Sequence, residues 1–506
     1  MTDTKMVDIF IIGGGINGAG IARDAAGRGL SVTLCEKDDL AQGTSSRSGK
    51  LVHGGLRYLE YYEFRLVKEA LIEREVLLNS ASHIIQPMRF VLPHSKNERP
   101  AWLVRLGLFL YDHLGGRKKL PGTRSLNLTR DPEGAPLKDI FTRGFEYSDC
   151  WVDDARLVIL NALDAADKGA TILTRTQCTS ARRENGVWTI KMCNQLTGES
   201  QSIRAKVVIN AAGPWVNDII ERVAGSDSQR QVRLVKGSHI IVPKFWQGQQ
   251  AYLIQNNDKR VIFINPYEQD KALIGTTDIP YTGSIEAVSA DEDEITYLID
   301  AVNRYFKESL QRQDVISTFS GVRPLFDDGQ GNPSAVTRDY VFDLDDLDGA
   351  PLLNIFGGKI TTFRKLAEHA LLKISPYFPE MGEDWTKMGI LPGGDFAQAD
   401  YAQFMQHTRL KYPWLPRILV DHYGRLYGTR LDKILKKSTE ISDLGLHFGA
   451  QLYAAEVTYL VKHEWAITAE DVLVRRTKQG LHLSIDETHT FKEWFAITFT
   501  QDTLSN

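Results

Sequence analysis

At 506 residues the chain is too long for a single compact core, and its size predicts about two to four domains with room to bury a large cofactor. Hydrophobic residues make up 42% and charged residues 25%, the mix of an ordinary globular protein, and no apolar tract is long enough to cross a bilayer. A formal charge of −4 is small for this length, so nucleic acid is not expected as a partner and any membrane contact must be local and peripheral.

The opening MTDTKMVDIF runs straight into a strand pattern, with no basic region and cleavage site of a standard export signal. Residues 7–12 are an apolar run ending in three glycines, after which Ile16, Ala19, Ile21, Ala22 and Ala25 give a small-residue helix face. Residues 30–35 read as a second strand, which completes a parallel βαβ unit. Apolar pairs at helical spacing predict one amphipathic helix over 62–79. The Asn185-Gly186 pair predicts a two-residue hairpin turn, and KVVINAAGPW another buried strand. Strands over 232–243, 251–265 and 271–277 suggest a second, antiparallel sheet. From about residue 388 the pattern turns helical, entered through Leu391-Pro392-Gly393-Gly394, and Thr468 with Asp471 resembles a capping box. Cys35, Cys150, Cys178 and Cys193 are scattered, with neither a CxxC pair nor zinc-ligand spacing, which fits a reducing cytoplasm and no metal.

Gly13, Gly15 and Gly18 form a GxGxxG turn between strand and helix. The first glycine permits the turn, the second lets a pyrophosphate approach and the third allows close packing. Glu36 ends the second strand 21 residues after Gly15, where a carboxylate accepts hydrogen bonds from an adenosine ribose. FAD and NAD share this fingerprint. A second GxGxxG is missing from the sequence, so the substrate is expected to reduce a flavin directly rather than through a nicotinamide. The stretch 43–55, GTSSRSGKLVHGG, adds small and hydroxylated residues whose amides can approach pyrophosphate and flavin; a plain serine-rich loop is the bland alternative.

The motifs TSSRSGKLVHGGLRYLEYYEFRLVKEAL, RGFEYSDCWVDDARL, NAAGPWV, KGSHI, GTTD, SGVRPL and FGGKITTFRKLAEHA, with WTKMGILPGG and VRRTKQG further on, closely resemble aerobic FAD-dependent glycerol-3-phosphate dehydrogenases over nearly the whole chain. One departure is Arg47-Ser48-Gly49, where the resembling sequences carry a smaller residue at the arginine position and often serine at the glycine. The resemblance implies an α/β fold with a Rossmann-like FAD domain of the glutathione-reductase/D-amino-acid-oxidase type, an antiparallel-sheet substrate domain and an all-helical C-terminal domain. The expected bounds are 1–90, 145–230 and 335–380 for FAD binding, 91–144 and 231–334 for substrate, and 388–506 for the helical part.

It further implies oxidation of sn-glycerol 3-phosphate to dihydroxyacetone phosphate, with quinone as acceptor, at the cytoplasmic face of the inner membrane. A homodimer stays open. FAD contacts are expected at Gly13, Gly14, Gly15, Ile16, Asn17, Gly18, Glu36, Thr44, Ser45, Ser46, Lys50, Leu51, His53, Gly54, Gly55, Gly213, Gly357, Gly358, Lys359, Thr361 and Thr362. Arg57 and Tyr58 suit the phosphate together with Lys359, and Arg323 or His239 the alcohol end. His53 and His239 are the candidate proton acceptors because an imidazole titrates near neutrality, with His239 preferred; either could instead be a satisfied core histidine.

Residues 99–119 join Trp, Leu, Val and Phe to Arg99, Arg105, Arg117, Lys118 and Lys119, a composition that suits an interfacial helix as well as a core helix with a basic loop. An oxygen-using glycerol-phosphate oxidase, an amine or amino-acid oxidase and a non-catalytic dinucleotide-binding scaffold are the competing readings.

Overall fold

The first apolar run becomes β1 (Met6–Ile12), buried along most of its length because a parallel strand in mid-sheet is covered on both faces. In this computed structural model, which describes residues 5–95, 99–116, 119–225, 230–326, 339–346 and 349–499, two sheets and a helical region divide the chain. Arg117 and Lys118 of the proposed interfacial segment lie outside the described residues.

The first sheet runs β17 (Val341–Asp345), β18 (Leu352–Phe356), β10 (Ser200–Asn210), β1, β2 (Val32–Cys35), β7 (Thr171–Leu173). From β18 to β7 the pairs are parallel, and β17 is antiparallel to β18. The hairpin of β8 (Thr176–Glu184) and β9 (Val187–Asn194) turns at Asn185 and Gly186, whose φ values of 52° and 76° are the left-handed pair a two-residue turn needs. Against one face lie α1 (Ile16–Gly27), α4 (Asp154–Asp167) and α7 (Phe363–Ile374), sharing one apolar core with Ile9, Ile11, Leu34, Val207 and Ile209. A Cβ on Gly20 would come within 2.7 Å of the Phe363 ring, so the small-residue face of α1 is what lets α7 approach.

The second sheet runs β15 (Ile279–Pro280), β11 (Val232–Pro243), β14 (Lys271–Gly275), β13 (Val261–Tyr267), β12 (Ala251–Gln255), β4 (Ile85–His94), β6 (Arg143–Val152), β3 (Leu51–Val52). Added to it are β16 (Ser317–Phe326) on β11 and β5 (Arg124–Asn127) on β6. Its pairs are antiparallel except β4 with β12, which run parallel, so the antiparallel expectation holds with one exception. The run 251–265, read as one strand, is two strands that pair with each other. Within the expected FAD-binding segments, β3 and most of β4 and β6 pair in the second sheet. Strand pairing sets which sheet a segment joins, and the apolar pattern of a strand does not name its partner.

The expected helix over 62–79 is α2 (Phe64–Ser80), and α3 (Ala101–Leu114) lies against it with Leu108 and Tyr111 buried. Between β10 and β11 a short α5 (Val216–Asp218) continues as a wider-wound turn, and α6 (Glu292–Tyr305), closed by an Asp291/Glu294 capping box, packs on the second sheet. The C-terminal region gathers α8 (Tyr401–Lys411), α9 (Arg417–Tyr427), α10 (Leu431–Leu435), α11 (Ala454–His463) and α12 (Ile485–Thr498) around a core rich in tyrosine and phenylalanine. The Thr468/Asp471 cap forms: the Asp471 amide donates to Thr468 Oγ1 at 3.2 Å and the Thr468 amide to Asp471 Oδ2 at 3.0 Å.

Candidate active site

Between β1 and α1 the glycine turn forms in the expected place. At Gly13, where φ is +114°, a Cβ would lie 2.6 Å from the Ala211 carbonyl oxygen, and one at Gly18 would lie 2.0 Å from that of Gly13. These glycines therefore hold the turn against both β10 and its own helix. The Gly14 amide donates to Glu36 Oε2 at 2.7 Å and the Asp38 amide to Oε1 at 2.9 Å, which fixes the carboxylate at the end of β2. Burial pushes the pKa of Glu36 up, and the two amides oppose that shift. Ser45 Oγ accepts from the Ile16 amide at 3.0 Å, drawing the 44–46 turn over the start of α1.

A cavity of about 540 Å³ extends from this turn to the second sheet. Its wall includes Gly13, Gly15, Ile16, Asn17 and Glu36 from the βαβ unit, then Thr44, Ser45, Leu51, His53 and Gly54 from the following loop. Gly213 comes from the end of β10, and Gly357, Gly358, Lys359 and Thr361 from the turn into α7. Tyr58, His239 and Arg323 complete it. Other expected residues stand off the wall. Gly14 and Gly18 shape the turn itself. Ser46 offers its carbonyl to Lys50 Nζ at 2.6 Å, and Lys50 is turned to the buried Asp154 carboxylate at 2.8 Å. Thr362 is buried at the start of α7. Gly55 and Arg57 line an adjoining cavity of about 450 Å³, which shares His53, Tyr58, Phe263, Thr276 and Arg323 with the first.

Where the two cavities meet, Arg323 on β16 donates to Asp278 Oδ1 at 2.9 Å and to Thr276 Oγ1 at 3.1 Å. His239 on β11 stacks on Phe319 with ring centroids 4.8 Å apart, and its Nδ1 is buried with no hydrogen-bond partner among the described residues. Burial, then the nearby Arg323 and Lys50 cations, hold the His239 pKa well below the usual imidazole value, so the ring is neutral. The His53 amide donates to Thr361 Oγ1 at 3.2 Å. Lys359 Nζ sits 4.6 Å from the Tyr58 ring centroid, a cation–π contact, and Arg57 Nη2 lies 3.4 Å from the Tyr61 hydroxyl.

The wall fits FAD on its own chemistry. Asn17 Oδ1 and Asn265 Oδ1, like His239 Nδ1, are buried polar atoms with no partner among the described residues, on residues that line the cavity, which suits a polar ligand there. The glycine turn leaves amides and the α1 N-terminus for a pyrophosphate, Glu36 stands ready for a ribose, and the Gly357-Gly358 turn opens the start of α7 toward the cavity.

Sequence reasoning assigned no role to Phe263, Asn265, Thr276 or Asp278. The last two stand in the GTTD motif already singled out, so the signal was present, but only the pairing of β14, β15 and β16 with β11 reveals that they hold Arg323. Arg47 lines the larger cavity and anchors its Nη1 on the Ser320 carbonyl at 3.1 Å.

Residues 8–363 match the family model described as FAD-dependent oxidoreductase, and residues 385–493 match the C-terminal domain of alpha-glycerophosphate oxidase. The chain is 70% identical over 495 residues to D-erythritol 1-phosphate dehydrogenase of Brucella abortus (strain 2308), covering 98% of this chain and 99% of that protein. It is 52% identical over 499 residues to aerobic glycerol-3-phosphate dehydrogenase of Escherichia coli (strain K12), covering 98% and 99%. Among solved structures, the glycerol-3-phosphate dehydrogenase from Bacillus halodurans complexed with FAD superposes with a TM-score of 0.79 at 29% identity, over 99% of this chain and 92% of that one.

Proposed function

The chain belongs to the FAD-dependent oxidoreductases of the glycerol-3-phosphate dehydrogenase family, and on that premise we propose that it oxidises the secondary alcohol of a short polyol phosphate and returns the electrons to a membrane quinone. The observation that carries the reading is the convergence of His53, Tyr58, His239, Arg323 and Lys359 on the wall that also holds the Gly357-Gly358 turn. FAD, when bound, supplies the acceptor for the hydride that leaves the alcohol carbon.

Arg57, Tyr58 and Lys359 hold the phosphate, where a cation pair gives charge-assisted hydrogen bonds. Arg323, braced by Asp278 and Thr276, fixes the alcohol end. His239 takes the hydroxyl proton, because its buried imidazole is already neutral and the adjacent Arg323 steadies a developing alkoxide. His53, held through its amide by Thr361, is the alternative acceptor and orients the alcohol carbon of the substrate against the flavin.

Identity of 70% to the erythritol-phosphate enzyme against 52% to the glycerol-phosphate enzyme favours D-erythritol 1-phosphate as the substrate. The second reading is sn-glycerol 3-phosphate, oxidised to dihydroxyacetone phosphate, which the motif resemblance and the fit to the Bacillus halodurans structure favour. The two substrates differ by one CHOH unit, so discrimination turns on whether a site polar group is left unpaired by the shorter one.

The adjoining cavity carries both Arg57, assigned above to the phosphate, and an apolar set, Leu103, Leu106, Leu110 and Phe263, that suits a quinone. On α3, Trp102, Leu106 and Phe109 are 68%, 47% and 51% exposed, an apolar face flanked by Arg99, Arg105 and Lys119. Among the described residues no helix is long and apolar enough to cross a membrane, so this face would lie in the head-group region of the inner membrane on its cytoplasmic side.

The test is anaerobic addition of each polyol phosphate to FAD-loaded protein, following flavin absorbance, and then a soluble quinone. Bleaching with a higher kcat/KM for the erythritol phosphate, followed by quinone-driven recovery, is expected. Preference for glycerol phosphate selects the second reading, and no bleaching by either overturns both.

A further inference from the structure

The segment that carries His53, Arg57 and Tyr58 is tied down at its first two amides by side chains from elsewhere. The His53 amide donates to Thr361 Oγ1, and the Gly54 amide donates to Asp149 Oδ1 at 3.2 Å. Asp149 projects from β6 and is 2% exposed, and it lies on the wall of neither cavity. Its carboxylate takes two further donors. Arg74 of α2 gives Nη1 at 2.7 Å, and Tyr111 of α3 gives its hydroxyl at 2.9 and 2.8 Å to the two oxygens.

Tyr111 is one of the two buried residues of α3, the helix whose opposite face exposes Trp102, Leu106 and Phe109. A second path leaves the same ring. Tyr111 packs edge-on against Tyr147 at 5.9 Å, Tyr147 stacks on Phe90 at 5.3 Å, Phe90 meets Phe263 edge-on at 5.9 Å, and Phe263 meets the His53 ring at 5.9 Å. Gly54 has no slack at this junction, because a Cβ there would lie 2.4 Å from Leu71 and 2.7 Å from the Tyr111 hydroxyl. One side chain on α3 thus bears on the Gly54 amide through its hydroxyl and a carboxylate, and on the His53 ring through its own ring and an aromatic row.

We propose that Asp149 and Tyr111 are positioning residues for the substrate site, fixing the 53–58 segment so that His53, Arg57 and Tyr58 face the polyol phosphate, and coupling the seating of α3 to that geometry. The proposal rests on the reading above for the polyol phosphate as substrate and for Arg57 and Tyr58 at its phosphate. Removing the Tyr111 hydroxyl leaves the ring row intact and takes one charge-assisted hydrogen bond from a buried carboxylate, so the segment loosens without a cavity being opened. A bond of that kind is lost as about a tenfold change in an equilibrium.

The experiment compares the FAD-loaded wild type with Tyr111→Phe, Asp149→Asn and the double variant, measuring flavin content, KM and kcat for the polyol phosphate. Tyr111→Phe is expected to keep its flavin and raise KM about tenfold with kcat changed less, and the double variant to be no worse than Asp149→Asn, because the two act as one unit. A KM within twofold of wild type for Tyr111→Phe, with at most a lowered thermal midpoint, makes the network structural only and overturns the proposal. Should Asp149→Asn fail to load flavin, Tyr111→Phe still decides by its KM. Arg57→Ala in parallel separates the two ideas: an unchanged KM there removes the phosphate assignment, while the Tyr111→Phe result still decides positioning.

Discussion

Asp39 sits in the loop that follows Glu36, is 1% exposed and belongs to the segment whose neighbours Lys37, Asp38, Ala41 and Gln42 line the larger cavity. Its partners come from the far end of the chain: Arg475 Nε and Arg476 Nη1 share Oδ2, and Arg476 Nη2 donates to Oδ1 at 2.8 Å. Asp39→Asn preserves the shape and removes the charge. Taking one member from a buried ion pair costs about 3–5 kcal/mol, because the remaining charge stays buried. Here the lower figure applies, since Arg475 keeps Asp471 and Arg476 keeps the Glu464 carbonyl.

If the C-terminal region holds the adenosine-side loop through these arginines, a loss of about 3 kcal/mol falls on FAD binding, up to roughly a hundredfold in Kd. Reconstitution of apoprotein with FAD, followed by flavin fluorescence, measures it, alongside the thermal midpoint at saturating FAD. A Kd within twofold of wild type would refute the clamp, and with an unchanged midpoint it would show that the arginines are satisfied without Asp39.

Three further outcomes are expected. His239→Gln should retain FAD and lose kcat by about 10²–10⁴, the contribution of a positioned general base, and because burial depresses the imidazole pKa the wild-type kcat should stay level as pH falls through 6.5. An acid limb centred at or above 6.5 that disappears in the variant would contradict this in a pH–rate profile. Trp102→Glu with Phe109→Glu should leave turnover with a soluble quinone unchanged and lower partitioning onto anionic vesicles about a hundredfold or more in a sedimentation assay, since each exposed ring contributes about 1.5–3 kcal/mol when buried. His83 is fully buried beside Phe396 with neither ring nitrogen partnered among the described residues, and burial with the nearby Arg156 pushes its pKa down to about 3. Its neutral form therefore stabilises the fold above about pH 6.5, and that contribution is lost as pH falls toward 3, about 2 kcal/mol by pH 5. His83→Phe should show a smaller drop in unfolding free energy between pH 7.5 and 5 than wild type in denaturant titrations; an identical drop assigns the acid sensitivity elsewhere.

Local chemistry made much of this molecule readable in advance. The GxGxxG turn, the carboxylate at Glu36, the Asn185-Gly186 hairpin and the Thr468/Asp471 cap each depend on residues within a few positions of one another or on one βαβ unit. Each therefore leaves a complete signal in the chain. What escaped was strand partnership. An apolar strand such as β4 or β6 could join either sheet, and only packing around β12 and β3 decides it. The same limit explains Lys50: its place in a loop of small and hydroxylated residues suggested a cofactor contact, while the buried Asp154 that claims it lies 104 residues away.

The site shows why that limit matters for function. Groups that meet a ligand directly, such as the glycines of the turn, carry motif signatures because their chemistry is fixed by the ligand. Groups that hold them carry no mark of that role even where they stand in a motif, as Asp278 does in GTTD, because only the fold shows which group each carboxylate meets. Asp278 braces Arg323 from 45 residues away, Asp149 reaches Gly54 from 95, and Asp39 meets Arg476 from 437. Each is a buried or half-buried carboxylate that accepts from an arginine or an amide belonging to the site or its frame, and each would be costly to leave unpaired. A substitution at one of these carboxylates should therefore change the geometry of a group it never resembles in sequence. Specificity is therefore to be tested at these supporting pairs as well as at the glycines and arginines that line the cavities.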